Sequence, residues 1–147
     1  MLLLVSELLT AFADVYSFAL LASNAHWNTS GSNFYAHHLL YDRVYKESYA
    51  NVDRLAEYLR GVGVRAPATL ALLSELTTLV PVTGVLPAGS YLDALVTANT
   101  AVLKSVYEAN SALATSTDPR SLGGMNLLGG ISETHCSLGF LLSSAVA

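Results

Sequence analysis

The chain has 147 residues, 52% hydrophobic and 12% charged, with a net charge of −4. At 15.5 kDa and a mean hydropathy of +0.46 it suits one folded domain, not a disordered tail. Its 7 basic and 11 acidic side chains cannot cover the roughly 7,000 Å² that a monomer of this mass exposes, so burial of surface between subunits is expected.

Apolar positions Leu4, Leu8, Leu9, Phe12, Val15, Tyr16, Ala19 and Leu20 recur at the helical period, with no Gly or Pro before Gly31, which predicts a helix from near Leu3 to about Asn28. Glu7 and Asp14 interrupt its apolar character and argue against a membrane span. No basic n-region precedes it, since the first Lys or Arg is Arg43, so a secretory signal is not expected. A second helix is predicted from Ser32 or Asn33, either of which can cap it, to the point where Gly61 and Gly63 precede Pro67. Residues 64–89 hold Pro67, Pro81, Pro87, Gly84 and Gly89 and form a long connection, with a short helix expected over Thr69 to Leu79.

Ser90 with Asp93 resembles a capping box, and Leu92, Leu95, Val96, Val102, Leu103, Val106 and Leu113 carry a third long helix to about Ala114. After the turn at Asp118-Pro119, Leu127, Leu128, Ile131, Leu138, Leu141 and Leu142 predict a fourth. Gly123, Gly124, Gly129, Gly130 and Gly139 weaken it and are read as close-packing points, because no strand precedes them and no Lys follows as a phosphate loop requires. Residues 1–147 therefore read as a single all-α domain, four helices with one long crossover, the pattern of ferritin-like bundles. The lone Cys136 excludes an internal disulfide or a Cys-based zinc site and fits a reducing cytoplasm. No Lys/Arg-rich arm flanks the helices, so nucleic acid is not the expected partner.

The second helix concentrates the charge: Asp42, Arg43, Lys46, Glu47, Asp53, Arg54, Glu57 and Arg60, alongside His37 and His38. His38 and Asp42 share a face, as do Asp53 and Glu57, and the 11 residues from Asp42 to Asp53 return within about 20° of the same direction. Those residues also rise about 16 Å, too far for one small metal within a chain. Two antiparallel copies related by a twofold axis would set His38 and Asp42 of one subunit opposite Asp53 and Glu57 of the other. With His26 at the end of the first helix, the set holds two imidazoles and three carboxylates and no thiolate, which suits Fe(II), Mn or Zn.

These residues resemble the Dps family of mini-ferritins. The match is His26-Trp27-Asn28, Gly31, Phe34, His38, Asp42, Asp53 and Ala56-Glu57, and the offsets of +12, +16, +27 and +31 from His26 are those of the family's ferroxidase ligands. The resemblance implies a dodecameric cage of tetrahedral (23) symmetry with two di-iron sites at each twofold interface. It implies that His26, with Asp53 and Glu57 of the neighbouring chain, holds the tighter iron, and that His38 and Asp42 place the second, with Glu57 bridging. It further implies oxidation of Fe(II) by hydrogen peroxide or oxygen, storage of ferric mineral and protection against oxidative damage. Departures from the family are Tyr58 where Arg is usual, His37 for Leu, Phe140 for Trp, and an expanded stretch from Asp118 to Asn126, which makes Asp118 either a pore acid or a helix cap. The alternative function is a nucleoid-associated, DNA-compacting protein with little ferroxidase activity. A bundle-internal di-iron site needs Glu-x-x-His pairs, and the chain contains none.

Overall fold

The computed structural model describes residues 2–87 and 89–146. It contains α1 (Leu2–Asn28), α2 (Phe34–Gly61), α3 (Leu70–Leu76), α4 (Ser90–Leu113) and α5 (Ser121–Ala145), and no strand among the described residues. α1 packs on α2 and α4, and α5 packs on α4 and α2, so the four long helices close a ring whose diagonals are α1/α5 and α2/α4. The connection carrying α3 joins the diagonal pair α2 and α4, and α3 itself lies on α1. The predicted all-α bundle and its long crossover are what the chain forms.

Phe12, Val15 and Phe18 of α1, Tyr41, Leu55 and Leu59 of α2, Leu95 and Val102 of α4, and Leu128, Ile131 and Leu138 of α5 fill the core and are shut off from solvent. The expectation that Glu7 and Asp14 exclude α1 as a membrane span needs correction. By length and composition the window Leu4–Asn28 is long and apolar enough to cross a membrane. What α1 does with that character is pack against three neighbouring helices.

Asp14 is fully buried on α1. Its Oδ1 accepts from the Thr77 hydroxyl and the Thr78 backbone N–H, both at 2.7 Å, and its Oδ2 accepts from the Thr78 hydroxyl at 2.7 Å. Three donors on one carboxylate satisfy what would otherwise be a costly buried charge. This explains why α3 stops at Leu76 and not at Leu79: residues 77 and 78 leave the helix to reach Asp14. α3 starts as expected, with the Thr69 hydroxyl accepting from Leu72 N–H at 3.2 Å. The capping box expected at Ser90 is not formed. Ser90 is already helical, the cap position is Gly89 at φ +88°, and no side chain caps the helix.

Two of the five α5 glycines are close-packing points. A Cβ on Gly124 would overlap the Tyr58 ring and hydroxyl, and one on Gly139 would collide with the Asn99 amide. Gly123, Gly129 and Gly130 face open space and carry no such role within the chain. Beside Gly139, His135 and Asn99 bond reciprocally: His135 Nδ1–H donates to Asn99 Oδ1 at 2.8 Å, and Asn99 Nδ2–H donates to the His135 carbonyl at 3.0 Å. His135 is wholly buried, with Phe18 edge-on at 5.0 Å and its Nε2 lacking a partner.

Asp14→Ala strands the Thr77 and Thr78 donors and should cost about 2 to 3 kcal/mol in chemical denaturation. Limited proteolysis of that variant should cut faster after α3, and an unchanged denaturation midpoint would refute the tether. Burial pushes the His135 pKa down to about 4. The unfolded chain, titrating near about 6.5, takes up this proton first, so stability is full above that pH and falls as the pH drops towards about 4. The loss should approach about 3 kcal/mol, and His135→Gln should flatten the fall between those pH values in thermal melts. Equal acid sensitivity in the two proteins would count against it.

Candidate functional site

Gly31, at φ +102°, turns the chain between α1 and α2 and brings the last turn of one beside the first turn of the other. His26 and His38 meet there. His26 Nδ1–H donates to the His38 carbonyl at 2.9 Å, and His38 Nδ1–H donates to the His26 carbonyl at 2.8 Å. A carbonyl can only accept, so both Nδ1 atoms carry a proton, and both Nε2 atoms are left outside the reciprocal pair. The two rings stack at 3.9 Å and 18°, and Phe34 continues the stack on His38 at 5.0 Å.

His26 Nε2 lies 3.7 Å from Asp42 Oδ1. Oδ2 of the same carboxylate accepts from Lys46 Nζ at 2.8 Å, and this bond is the main cause that holds the Asp42 carboxyl below its usual range. His26 and His38 lower it further by smaller amounts. Asp42 is thus an anion with one oxygen committed to Lys46 and one turned to an imidazole. All three residues of this cluster are half-buried.

Asp53 and Glu57 are exposed further along α2 and form no ion pair among the described residues. Of the five residues singled out from the sequence, the chain therefore gathers His26, His38 and Asp42 and leaves the other two about 16 Å away along the helix. No group of three or more His, Cys, Asp or Glu among the described residues is disposed to hold a metal ion. Two imidazoles beside a carboxylate at one end of the stripe, and two exposed carboxylates at the other, are nitrogen and oxygen donors of the type borderline divalent metals take.

His37 faces another way, its ring 5.9 Å from Tyr41, whose hydroxyl is buried without a partner and pushed up to about 12, mainly by burial. Asp118 is committed to its own turn. It accepts from Arg120 N–H at 2.9 Å and from the Arg120 guanidinium at 2.6 to 3.1 Å, which pulls its carboxyl down to about 2. Tyr58 donates its hydroxyl to the Arg120 carbonyl at 3.2 Å and ties the end of α2 to the start of α5. Trp27 is 69% exposed, so it is not a core residue of this chain. Two neighbours of the cluster were not assigned to it from the sequence, Lys46, counted there only among the charges of the second helix, and Tyr45. Lys46 stands four residues after Asp42, a spacing that could have revealed it. Tyr45, with its ring 5.4 Å from His26, begins an aromatic row, and its i,i+4 relation to Tyr49 was the available signal.

The family model of the ferritin-like domain matches residues 5–123. A curated relative, the DNA protection during starvation protein of Brevibacillus brevis, is 36% identical over 61 residues, 42% of this chain. That match spans about two fifths (41%) of the relative's length. Among solved structures, Dps from Thermosynechococcus elongatus superposes with a TM-score of 0.89 at 20% identity, covering 98% of this chain and 90% of that one. A Dps protein of Vibrio cholerae O1, described as a member of a superfamily of ferritin-like diiron-carboxylate proteins, superposes with a TM-score of 0.88 at 18% identity, covering 98% and 89%.

His26→Ala and His38→Ala each remove one bond of the reciprocal pair together with the ring contact, and each should cost about 1 to 2 kcal/mol. The double variant should cost less than the sum in a denaturant-based cycle, because the stacking is lost in either single change. Strict additivity would show that the rings do not act as a pair.

Proposed function

Because this chain belongs to the ferritin-like family and has the fold of the Dps proteins, we propose that it is a mini-ferritin that oxidises Fe(II) at sites shared between two subunits and stores the ferric product in a hollow dodecamer. Iron is here both substrate and cargo. The observation that carries this reading is the division between the two ends of α2: His38 and Asp42 at one end, joined there by His26 from the end of α1, and Asp53 and Glu57 exposed at the other. Two antiparallel copies of α2 match each half-site to its complement, giving two sites per twofold pair.

In this reading His26 Nε2 joins Asp53 and Glu57 of the partner subunit around the first Fe(II). His38 Nε2 and Asp42 receive the second, with Glu57 of the partner subunit shared between them. Imidazole nitrogen and carboxylate oxygen suit Fe(II). The reciprocal histidine bonds hold both rings in the tautomer a metal needs, as outer-shell bonds to ligating histidines do. Lys46 keeps Asp42 ionised and must yield its hold on Oδ2 when a dication arrives. Two Fe(II) supply the two electrons and two protons complete the balance as one hydrogen peroxide becomes two waters, so no hydroxyl radical is released. Clearing both Fe(II) and peroxide is the protective role, and the cytoplasm is the compartment proposed for it.

Surface composition supports assembly. The chain exposes 7,939 Å², above the roughly 7,200 Å² expected of a compact monomer of its mass. Large apolar side chains stand in water: Val80 is 86% exposed, Leu70 80% and Tyr35 73%. Leu70 and Val80 line a cavity of about 260 Å³ between α1, α3 and the strap that follows. Exposed apolar surface of this kind marks contact faces.

The native particle should weigh about 186 kDa, twelve copies of the 15.5 kDa chain, in light scattering. Fe(II) and peroxide added anaerobically should give fast ferric absorbance. Asp53→Ala or Glu57→Ala should slow it by more than about tenfold, the scale of losses seen when only an outer-shell partner of a metal ligand is removed. A monomeric particle, or wild-type rates in both variants, would overturn the shared site.

A further inference from the structure

A dodecamer of tetrahedral symmetry needs threefold contacts as well as twofold ones, and the two kinds differ. A twofold joins a patch to its own copy, whereas a threefold joins two unlike patches of one chain, head to tail. The α2 stripe supplies the first. The second calls for a complementary pair of surfaces elsewhere on the chain.

The end of the bundle where α1 starts and α4 finishes carries such a pair. Leu4 and Glu7 of α1, Tyr107, Glu108 and Ser111 of α4, and Thr115 beyond it line an open groove of about 670 Å³. Glu7 has no cationic partner among the described residues, and Glu108 reaches only Lys104, at 3.9 Å and in reach of solvent. Tyr107 is 71% exposed beside them. Two carboxylates next to an open phenol ring are surroundings a guanidinium takes, by ion pairing and by stacking. On the other side of the first turns of α1, α2 ends in Arg60 and the turn after it holds Arg65. Leu4 lines both the groove and the cavity that Val62 and Val64 of this turn help to close. Both arginines are exposed, and neither meets a carboxylate among the described residues. Arg60 donates to the Val64 carbonyl at 3.4 Å, within its own turn.

We propose that the Arg60–Arg65 turn of one subunit docks in the Glu7/Glu108 groove of the next, and that three such contacts close a ring about the threefold axis. The docking rests on the cage reading above. Within one chain α1 stands between turn and groove, so a second copy supplies the charge that each lacks. The two wrong pairings repel: groove against groove opposes four carboxylates, and turn against turn opposes four guanidinium groups. Only the head-to-tail contact is attractive, and that is the kind a ring requires. Rings of three at this end of the bundle, joined by twofold pairs along α2, generate twelve places and no more.

Native mass spectrometry and light scattering of the intact protein test the contact. Wild type should be the particle of about 186 kDa, and Glu7→Lys/Glu108→Lys should stop at dimers of about 31 kDa, two copies of the 15.5 kDa chain. Arg60→Glu/Arg65→Glu should do the same. All four substitutions in one chain set a basic groove opposite an acidic turn and should restore the large particle. Circular dichroism checks that each variant keeps wild-type helicity. Should a reversal unfold the chain, the neutral pair Glu7→Gln/Glu108→Gln decides, since its particle should fall to dimers at severalfold higher protein concentration than wild type. A large particle that survives either reversal, equal dilution behaviour of the neutral pair, or a fourfold variant that stays dimeric would each overturn the docking, the last by assigning the groove to a different occupant. Dimers should still form ferric product from Fe(II) and peroxide. A wild type that is dimeric and active therefore overturns the docking alone, whereas a monomer that forms no ferric product overturns the ferroxidase reading with it.

Discussion

A straight α-helix advances about 1.5 Å per residue and cannot double back, and α2 carries its carboxylates at two stations that obey this rule. Asp42 and Asp53 point along one stripe because eleven residues make nearly whole turns, and the same eleven residues keep them apart. Direction and distance come from one geometry. A chain with this helix keeps the two groups of carboxylates at separate stations, and under the proposed function a second copy is what brings them together. The unusual division of the surface follows: charge gathered on α2, large apolar side chains left in water on α3 and the strap after it.

The two reciprocal histidine motifs show how burial decides what one side chain can do. His26 with His38 and His135 with Asn99 use the same pattern, a ring N–H donated one way and a second bond returned to a backbone carbonyl. Near the surface the pattern leaves Nε2 beside the Asp42 carboxylate, with Lys46 balancing the charge. In the core it leaves Nε2 without a partner against Phe18, and desolvation keeps the imidazole neutral well below its ordinary range. A protonated ring is expensive at the second.

The long helices were legible because Leu, Val and Phe at intervals of three and four leave little choice of face, and because Gly31, Pro67 and Pro119 punctuate them. The grouping of His38 with Asp42 was legible for the same reason, being four residues apart on one helix. What stayed hidden depends on contacts distant in sequence. Nothing near Asp14 signals that Thr77 and Thr78 will surround it, so it read as an interruption and the end of α3 was set three residues late. Likewise the bond from each histidine to the other's carbonyl crosses a turn whose shape depends on Gly31. The Ser90 capping pattern failed because the chain enters α4 through Gly89, which sets the entry angle before any side chain can act.

The contact of Tyr58 with Gly124 makes the two residues a single joint between α2 and α5. The aromatic ring occupies the volume that any side chain at 124 would need, and its hydroxyl is fastened to the Arg120 carbonyl. The two positions are therefore one packing unit with Leu113: a side chain at 124 needs both the Tyr58 ring and the Leu113 methyl to move, and moving the ring breaks the bond that ties the end of α2 to the start of α5.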